Sequence, residues 1–227
     1  MNYKHIKYIL NTIGCRFSKH FDIKYSLVKY IIYRIQGINN IIKIHNSKVT
    51  KTSFSFSGNN NSVIFSDKAN IYYTNINVVG DNNIISFNGC SGIISLILRG
   101  NNCKVTIGKN STMETCYMVC MGQENSIIIG NDCMFSGSVE IWNSDTHLIT
   151  DMDGKCINPS KPIYIGNHVW LGKGVKVLKG VTIGSNSVIG MGSILTKDVM
   201  DNSIAAGNPA RIIKNNIKWE KGYYITK

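Results

Sequence analysis

The fold is determined by one C-terminal stretch. It begins Pro162-Ile-Tyr-Ile-Gly-Asn-His-Val-Trp-Leu-Gly-Lys-Gly-Val175 and continues to Ala205-Ala-Gly-Asn-Pro-Ala-Arg-Ile-Ile-Lys214. Aliphatic residues recur there at every sixth position, at Ile165, Leu171, Val177, Ile183, Ile189 and Leu195. A second register, four residues further on, holds Val169, Val175, Val181, Ser187, Ser193 and Val199. A helix repeats at about 3.6 residues and a flat strand at about two, so neither matches a period of six. The period predicts an all-β solenoid, in which each hexapeptide is a short strand with a corner and three hexapeptides close one coil.

Three short segments narrow this prediction to one family. They are the sequence Asn-His-Val-Trp-Leu-Gly at 167–172, Thr-Lys-Asp at 196–198, and Gly-Asn-Pro-Ala-Arg at 207–211. Together they resemble the C-terminal signature of the hexapeptide-repeat O-acetyltransferases, which act on serine, maltose, galactosides and polysaccharides. Within this family, the three segments most resemble those of the capsular polysialic acid O-acetyltransferases. The resemblance implies a left-handed parallel β-helix, although the usual crossover rule favours the right-handed sense. It also implies acetyl-CoA as the acyl donor and a homotrimer with each site between two subunits.

A degenerate repeat extends the predicted solenoid towards the N-terminus. Gly-x-Asn-Asn or a close relative begins at Gly37, Gly58, Gly80, Gly100 and Gly122, in steps of 21, 22, 20 and 22 residues. Gly and Asn both tolerate the left-handed backbone conformations of tight corners, so each tetrad predicts one corner. We therefore expect one β-helix over residues 37–204, followed by a C-terminal tail over residues 205–227.

The first 36 residues show a different pattern. Apolar residues such as Ile6, Ile9, Leu27, Ile31 and Ile35 recur at helical spacings between basic residues. The spacing predicts two short amphipathic helices that meet near residues 18–22. These helices would either cap the open end of the solenoid or dock on an anionic membrane surface.

One coil's length of chain breaks the six-residue register. The positions that follow Ile129, Phe135 and Ile141 are His147, Asp153 and Pro159, which are unsuited to a dry core. Residues 142–161 are therefore expected to leave the solenoid as a loop. Long loops on rigid scaffolds are where function concentrates.

Composition limits the classes of partner. The formal net charge of +12 divides into +6 for residues 1–36, −1 for residues 37–160 and +7 for residues 161–227. The basic end segments are suited to binding a phosphate-rich cofactor, an acidic glycan or an anionic membrane. No nucleic-acid-binding module is recognised in the sequence. The seven cysteines are odd in number and lack a Cys-x-x-Cys pair, which favours free thiols. With no apolar run long enough to span a membrane, we expect a cytoplasmic protein, or one peripheral at the inner membrane face.

The predicted loop carries the candidate catalytic residue. Acetyl transfer to a hydroxyl needs a base, and histidine side chains exchange protons near neutral pH. The segment Ser144-Asp145-Thr146-His147-Leu148 resembles the family's catalytic-histidine segment, which makes His147 the candidate general base. The alternative is that His147 only anchors its loop through hydrogen bonds. His168 matches a variable family position and is left out of the catalytic set.

Further site residues follow from the resemblance. Trp170 corresponds to an active-site tryptophan of the polysialic acid enzymes. The alternative is that its indole forms a contact between neighbouring solenoids. Trp142 is a weaker candidate for the acceptor groove. The family pattern places six residues along acetyl-CoA, namely Lys173 and Met191 beside the pantetheine arm, Thr196 and Lys197 near the diphosphate, and Arg211 and Lys214 near the nucleotide phosphates. For the basic residues among them, the alternative is a solvated charged face.

The function predicted from the sequence is O-acetyl transfer from acetyl-CoA to a hydroxyl of a capsule or surface polysaccharide. The acceptor is expected to be an acidic glycan. With only His147 and His168 in the relevant region, no zinc site is predicted. Two alternatives stay open: an N-acetyltransferase acting on an amino sugar or an antibiotic, and a non-catalytic binding or structural β-helix.

Overall fold

The computed structural model describes residues 4–11 and 15–222, and within them the chain is all β, with no helix. Side chains are described from Lys19 onward, together with that of Lys4. The strands are β1 (Lys4–Asn11), β2 (Cys15–Ser18), β3 (Phe21–Lys24), β4 (Ser26–Gln36), β5 (Ile41–His45), β6 (Lys48–Ser57), β7 (Ser62–Ser66), β8 (Asn70–Tyr72), β9 (Asn75–Val79), β10 (Ile84–Asn88), β11 (Ser91–Asn101), β12 (Lys104–Ile107), β13 (Thr112–Gln123), β14 (Ser126–Ile129), β15 (Met134–Phe135), β16 (Val139–Trp142), β17 (Ile163–Ile165), β18 (Trp170–Leu171), β19 (Lys176–Leu178), β20 (Thr182–Ile183), β21 (Val188–Ile189), β22 (Ile194–Leu195), β23 (Ile204–Gly207) and β24 (Ala210–Lys214).

Parallel pairing between successive coils builds a solenoid. In the regular region, Trp170 pairs with Val188, so one coil takes 18 residues. Nearer the N-terminus, Ile84 pairs with Ser62 and with Lys104, so those coils take 22 and 20 residues. Three ladders run along the solenoid near its C-terminal end: β14, β17 and β20; β15, β18 and β21; and β16, β19 and β22.

Inward-facing side chains form one continuous apolar core from Phe21 to Ala210. Every residue of the two six-residue registers is buried, including Ser187 and Ser193, whose exposed fraction is 0%. Larger aromatic side chains fill the longer coils, where Phe65 and Phe87 stack with their ring centroids 4.8 Å apart. The hexapeptide period therefore predicted the core of the C-terminal third residue by residue.

The Gly-x-Asn-Asn corners stack into columns. At Gly80, where φ is +116°, an added Cβ would lie 2.0 Å from the carbonyl oxygen of Gly100 in the next coil, so only glycine fits. Beside this column, buried asparagine side chains form a ladder: Asn61 Nδ2 donates to Asn40 Oδ1 at 3.0 Å, and Asn83 Nδ2 donates to Asn61 Oδ1 at 2.9 Å. The tetrads mark corners, as the sequence predicted.

The predicted N-terminal helices are wrong for the described part of residues 1–36; residues 1–3 and 12–14 lie outside the described residues. That part forms β1 to β4, with β1 antiparallel to β4 and β2 antiparallel to β3. The helix-like spacing in β4 has a local cause. Tyr30 adopts a left-handed conformation with φ of 55°, which shifts the phase so that Val28 and Ile31 both face the core. The β-branched and aromatic content of this stretch favours strands.

The solenoid also begins before the predicted residue 37, because β3 and β4 pair in parallel with β5 and β6. At the other end, the described part of the predicted tail, residues 205–222, includes two strands. β23 continues the ladder of β21 and turns into the antiparallel β24. The segment that follows runs back along the solenoid, where the main-chain N–H of Ile217 donates to Asn202 O at 3.0 Å. In the part of the chain that the structure describes, no helix of membrane-spanning length and apolarity occurs.

Candidate functional site

His147 lies on a long loop, residues 143–162, that connects β16 to β17. Within this range the only β-pairing is an isolated bridge between Thr150 and Cys156. The stretch from Asp145 to Thr150 is exposed. His147 therefore stands at the solenoid surface, on a segment that regular strand pairing does not hold.

His147 lines a groove of about 240 Å³ on the outer face of the solenoid. The groove is also lined by Ile97, Arg99, Tyr117, Val119, Met121 and Trp142. The Tyr117 and Trp142 rings lie 5.6 Å apart at 55°, and Trp142 Nε1 donates to Glu140 Oε2 at 3.1 Å, which fixes the indole. Aromatic faces, a guanidinium and an imidazole in one groove can together hold an acidic sugar and exchange a proton with it. Trp142, predicted as a weaker acceptor-groove candidate, thus lies in the same groove as His147.

Arg99 and Tyr117 were missed by the sequence analysis. A signal for the groove was present in β11, where apolar residues occupy outward positions such as Ile97 as well as inward ones. An apolar outer face indicates a surface that something covers. Val119, an outward residue of β13, is indeed only 1% exposed.

Trp170 lies on a different ladder from the His147 groove. It is in β18, which pairs with β15 and β21, whereas Trp142 is in β16, which pairs with β13 and β19. Trp170 is 37% exposed, and its ring centroid is 5.9 Å from that of Trp219 in the C-terminal segment. Within one chain, the two predicted catalytic positions therefore occupy separate faces.

The C-terminal segment contacts both His168 and Trp170 through the ring of Trp219. The Trp219 ring stacks on the His168 imidazole with centroids 4.1 Å apart and planes 5° apart, and Trp219 Nε1 donates to His168 O at 2.9 Å. Further along, Lys221 Nζ donates to Asn110 O at 3.3 Å. His168, left out of the catalytic set, thus anchors the returning segment.

Lys173 and Met191 occupy equivalent corners of successive coils. The main-chain N–H of Gly192 donates to Lys173 O at 2.9 Å, and a Cβ at Gly172 would lie 2.7 Å from Met191 N. Both side chains are exposed. The structure thus brings these two predicted cofactor contacts together on one edge.

The other predicted cofactor residues lie towards the C-terminal end. Thr196 and Lys197 follow β22 in an exposed segment, which Asp198 connects to the preceding coil because its Oδ1 accepts from the main-chain N–H of Thr182 at 2.7 Å. Arg211 and Lys214 are exposed on β24. Among the residues that the structure describes, none of Lys173, Lys197, Arg211 and Lys214 takes part in an ion pair.

Most of the described cysteines are buried, and the described residues form no metal-binding cluster. Six cysteines with described side chains are free, and all but Cys156 are buried. Burial raises the pKa of the Cys90 thiol to about 12, so this side chain stays a neutral thiol. In residues 4–11 and 15–222, no group of three or more His, Cys, Asp or Glu is arranged to hold a metal ion.

Comparison with known proteins identifies the family. The family model "Bacterial transferase hexapeptide (six repeats)" matches residues 162–197. The crystallised polysialic acid O-acetyltransferase OatWY is 36% identical, with a TM-score of 0.77 over 86% of this chain and 94% of that one. The chain belongs to the hexapeptide-repeat acetyltransferase family. Membership confirms the predicted fold class, the left-handed parallel β-helix, without the helical N-terminal segment.

Two curated members of the family give the same picture over shorter segments. A polysialic acid O-acetyltransferase of Neisseria meningitidis is 36% identical over 144 residues, or 62% of this chain and 66% of that protein. A polysialic acid O-acetyltransferase of Escherichia coli O1:K1 / APEC is 45% identical over 119 residues, or 52% of this chain and 38% of that protein. The matches thus span less than two thirds of either curated relative. Both curated relatives, like OatWY, are named as O-acetyltransferases, the class of enzyme that the sequence predicted.

Proposed function

We propose that this member of the hexapeptide-repeat family transfers an acetyl group from acetyl-CoA to a hydroxyl of a saccharide. The observation that carries the proposal is the groove that His147 shares with Tyr117, Trp142 and Arg99. A base can activate a sugar hydroxyl as a nucleophile, and neighbouring aromatic faces can hold the sugar ring beside that base.

Direct transfer is the mechanism we propose. His147 accepts the proton of the acceptor hydroxyl as the oxygen attacks the thioester carbonyl, so that a C–O bond forms and the C–S bond breaks. The proton on the imidazole then passes to the leaving thiolate, and free coenzyme A results. Holding both substrates against one surface supplies much of the rate by removing the entropy of bringing them together.

The donor would lie along the exposed edge formed by Lys173 and Met191, which are one coil apart. Thr196 and Lys197, exposed after β22, and Arg211 and Lys214, exposed on β24, would contact its phosphates. The four cations among these residues are solvated, so they are free to pair with the phosphates of coenzyme A.

An acidic saccharide is the acceptor that fits the charges best. Arg99 supplies a guanidinium in the groove, and the whole chain has a formal net charge of +12. The two curated relatives and OatWY have polysialic acid, a polyanion, in their names. A cationic groove concentrates such a polymer by electrostatic attraction, which salt weakens.

A homotrimer would resolve the separation of His147 from Trp170. Because these residues lie on different ladders, a neighbouring subunit could set its Trp170 face against the His147 groove. We propose this assembly, located in the cytoplasm. The amphipathic helices on which membrane docking depended are strands in the described N-terminal residues, so the peripheral location loses its structural basis.

The experiment is an acceptor panel. The protein is incubated with acetyl-CoA and each of an acidic oligosaccharide, its neutral analogue and an amino sugar, while thiol release and product mass are followed. We expect acceptor-dependent release with the acidic glycan, declining as salt rises. Preference for the neutral glycan would contradict the acidic acceptor, and preference for the amino sugar would favour N-acetyl transfer. No release with any acceptor would favour a binding or structural β-helix.

A further inference from the structure

The side chain of Asn158 holds the part of the loop that surrounds His147. Asn158 Nδ2 donates to His147 O at 2.8 Å and to Asp145 Oδ2 at 3.0 Å. Its Oδ1 accepts from the main-chain N–H of Ile149 at 2.7 Å. A single amide therefore binds the chain before, at and after His147.

Lys179 connects this loop to the solenoid. It follows β19 directly, and its side chain is only 21% exposed. Its Nζ donates to Asp145 Oδ2 and, at 3.1 Å, to the main-chain oxygen of Asn158. Lys179 thus connects the part of the loop at Asp145 to the part at Asn158. Its hydrogen bond to the Asp145 carboxylate is charge-assisted and therefore strong.

Ionisation of Asp145 keeps this contact intact at neutral pH. The hydrogen bond from Lys179 holds the pKa of the Asp145 carboxyl below its ordinary value of 3.8. A depressed pKa in the folded state means that the contribution to stability is present above that ordinary value and is lost as pH falls through the lower one. Titration of Asp145 therefore does not loosen the loop in the range where histidines exchange protons.

We propose that Asn158, Asp145 and Lys179 form a positioning clamp that sets His147 against the acceptor groove. The clamp, defined as these three side chains, reaches His147 through its main-chain carbonyl, so its members act through His147 and not on the substrate. Regular strand pairing gives this loop little support, and a displacement of about 1 Å at a catalytic group can reduce the rate by about 100-fold. The inference rests on the proposed function.

The kinetic test uses Asn158→Ala, Lys179→Met and the double variant, with Met152→Ala as the control. Met152 is fully exposed in the same loop and lies outside the clamp. We expect both single variants to lower kcat by at least about 10-fold, with the KM for acetyl-CoA and the thermal midpoint close to wild type. The double variant should be little worse than either single one, because residues that act as a unit are not additive. A normal kcat, or a loss matched by a fall in thermal midpoint, would overturn the proposal.

A second measurement keeps the clamp separate from the proposed function. Amide hydrogen exchange of residues 145–149 is followed by mass spectrometry in the substrate-free protein. Faster exchange in Asn158→Ala than in Met152→Ala is the expected result, and equal exchange would show that no clamp exists. If the wild-type protein transfers no acetyl group, the proposed function fails. The claim that the clamp positions a catalytic base fails with it, while the exchange still decides whether the clamp holds the loop.

Discussion

At the residue scale, the proposed general base is His147, which lies in a groove with Tyr117, Trp142 and Arg99. We expect His147→Ala to fold normally and to lose at least about 100-fold in acetyl transfer, the usual contribution of a general base. Initial rates of thiol release measure this, with Met152→Ala as the loop control. A folded His147→Ala protein with the wild-type rate would leave His147 as a loop anchor only.

The exposed cations of the C-terminal end make a separate prediction. Lys197→Ala and Arg211→Ala should each raise the KM for acetyl-CoA several-fold while kcat changes little, because they remove binding that is the same in the ground and transition states. Lys104→Ala, an exposed lysine on β12, is the matched control. A rise confined to the KM of the acceptor would show that these residues line the other groove.

Part of the site could be predicted from local sequence, and part could not. The broken six-residue register predicted the loop, and the resemblance of residues 144–148 to the family's catalytic-histidine segment singled out His147 within it. The partners of its loop did not stand out, because Asn158 and Lys179 lie 11 and 32 residues beyond it and meet it only after the loop folds back. Trp142 was predicted for the groove, but Arg99 and Tyr117 come from earlier coils that only the stacking register brings alongside.

At the element scale, the buried asparagine ladder is the feature that joins the longer coils. Asn61 bonds to Asn40 and Asn83 in the coils on either side and donates to Gly80 O at 2.8 Å. The Asn61 side chain thus joins three successive coils through buried and half-buried hydrogen bonds.

Loss of that side chain should be costly. We expect Asn61→Ala to lower the free energy of unfolding by at least about 2 kcal/mol, because it leaves buried donors and acceptors unpaired. The control is Asn75→Ala, an exposed strand residue whose Oδ1 accepts from Ser53 Oγ at 2.9 Å, and its effect should stay within about 0.5 kcal/mol. Urea unfolding measures both variants. Equal effects would mean that the ladder contributes no more than a surface hydrogen bond.

The elements were predictable where one period dominates and not elsewhere. From Ile165 to Val199 both registers are buried as expected, since every hexapeptide repeats one strand and one corner. In β4 the spacing of Val28 and Ile31 suits a helix as well as a strand with a corner at Tyr30. Pairing of β4 with residues about 21 positions further on, such as Val28 with Val49, makes this segment a strand. A local sequence pattern does not contain that information.

At the scale of the whole molecule, the proposed homotrimer would complete the site by setting the Trp170 face of one subunit against the His147 groove of another. We expect a particle with the mass of three chains in light scattering combined with size-exclusion chromatography. Trp170→Ala should leave that mass unchanged and lower the rate of transfer if the indole belongs to the site. A fully active monomer would contradict the proposed assembly, and dissociation of Trp170→Ala would favour the alternative role of contact between solenoids.

The chemical form of the acetylated product distinguishes O-acetyl transfer to an acidic glycan from the alternatives. Wild-type protein, acetyl-CoA and polysialic acid are incubated together, and the polysaccharide is analysed by mass spectrometry before and after mild alkaline treatment. O-acetyl transfer should give a mass gain of whole acetyl groups that alkali removes, because esters hydrolyse under conditions in which amides persist. A product that keeps its new acetyl groups through the treatment, or a polysaccharide that gains none, would contradict it.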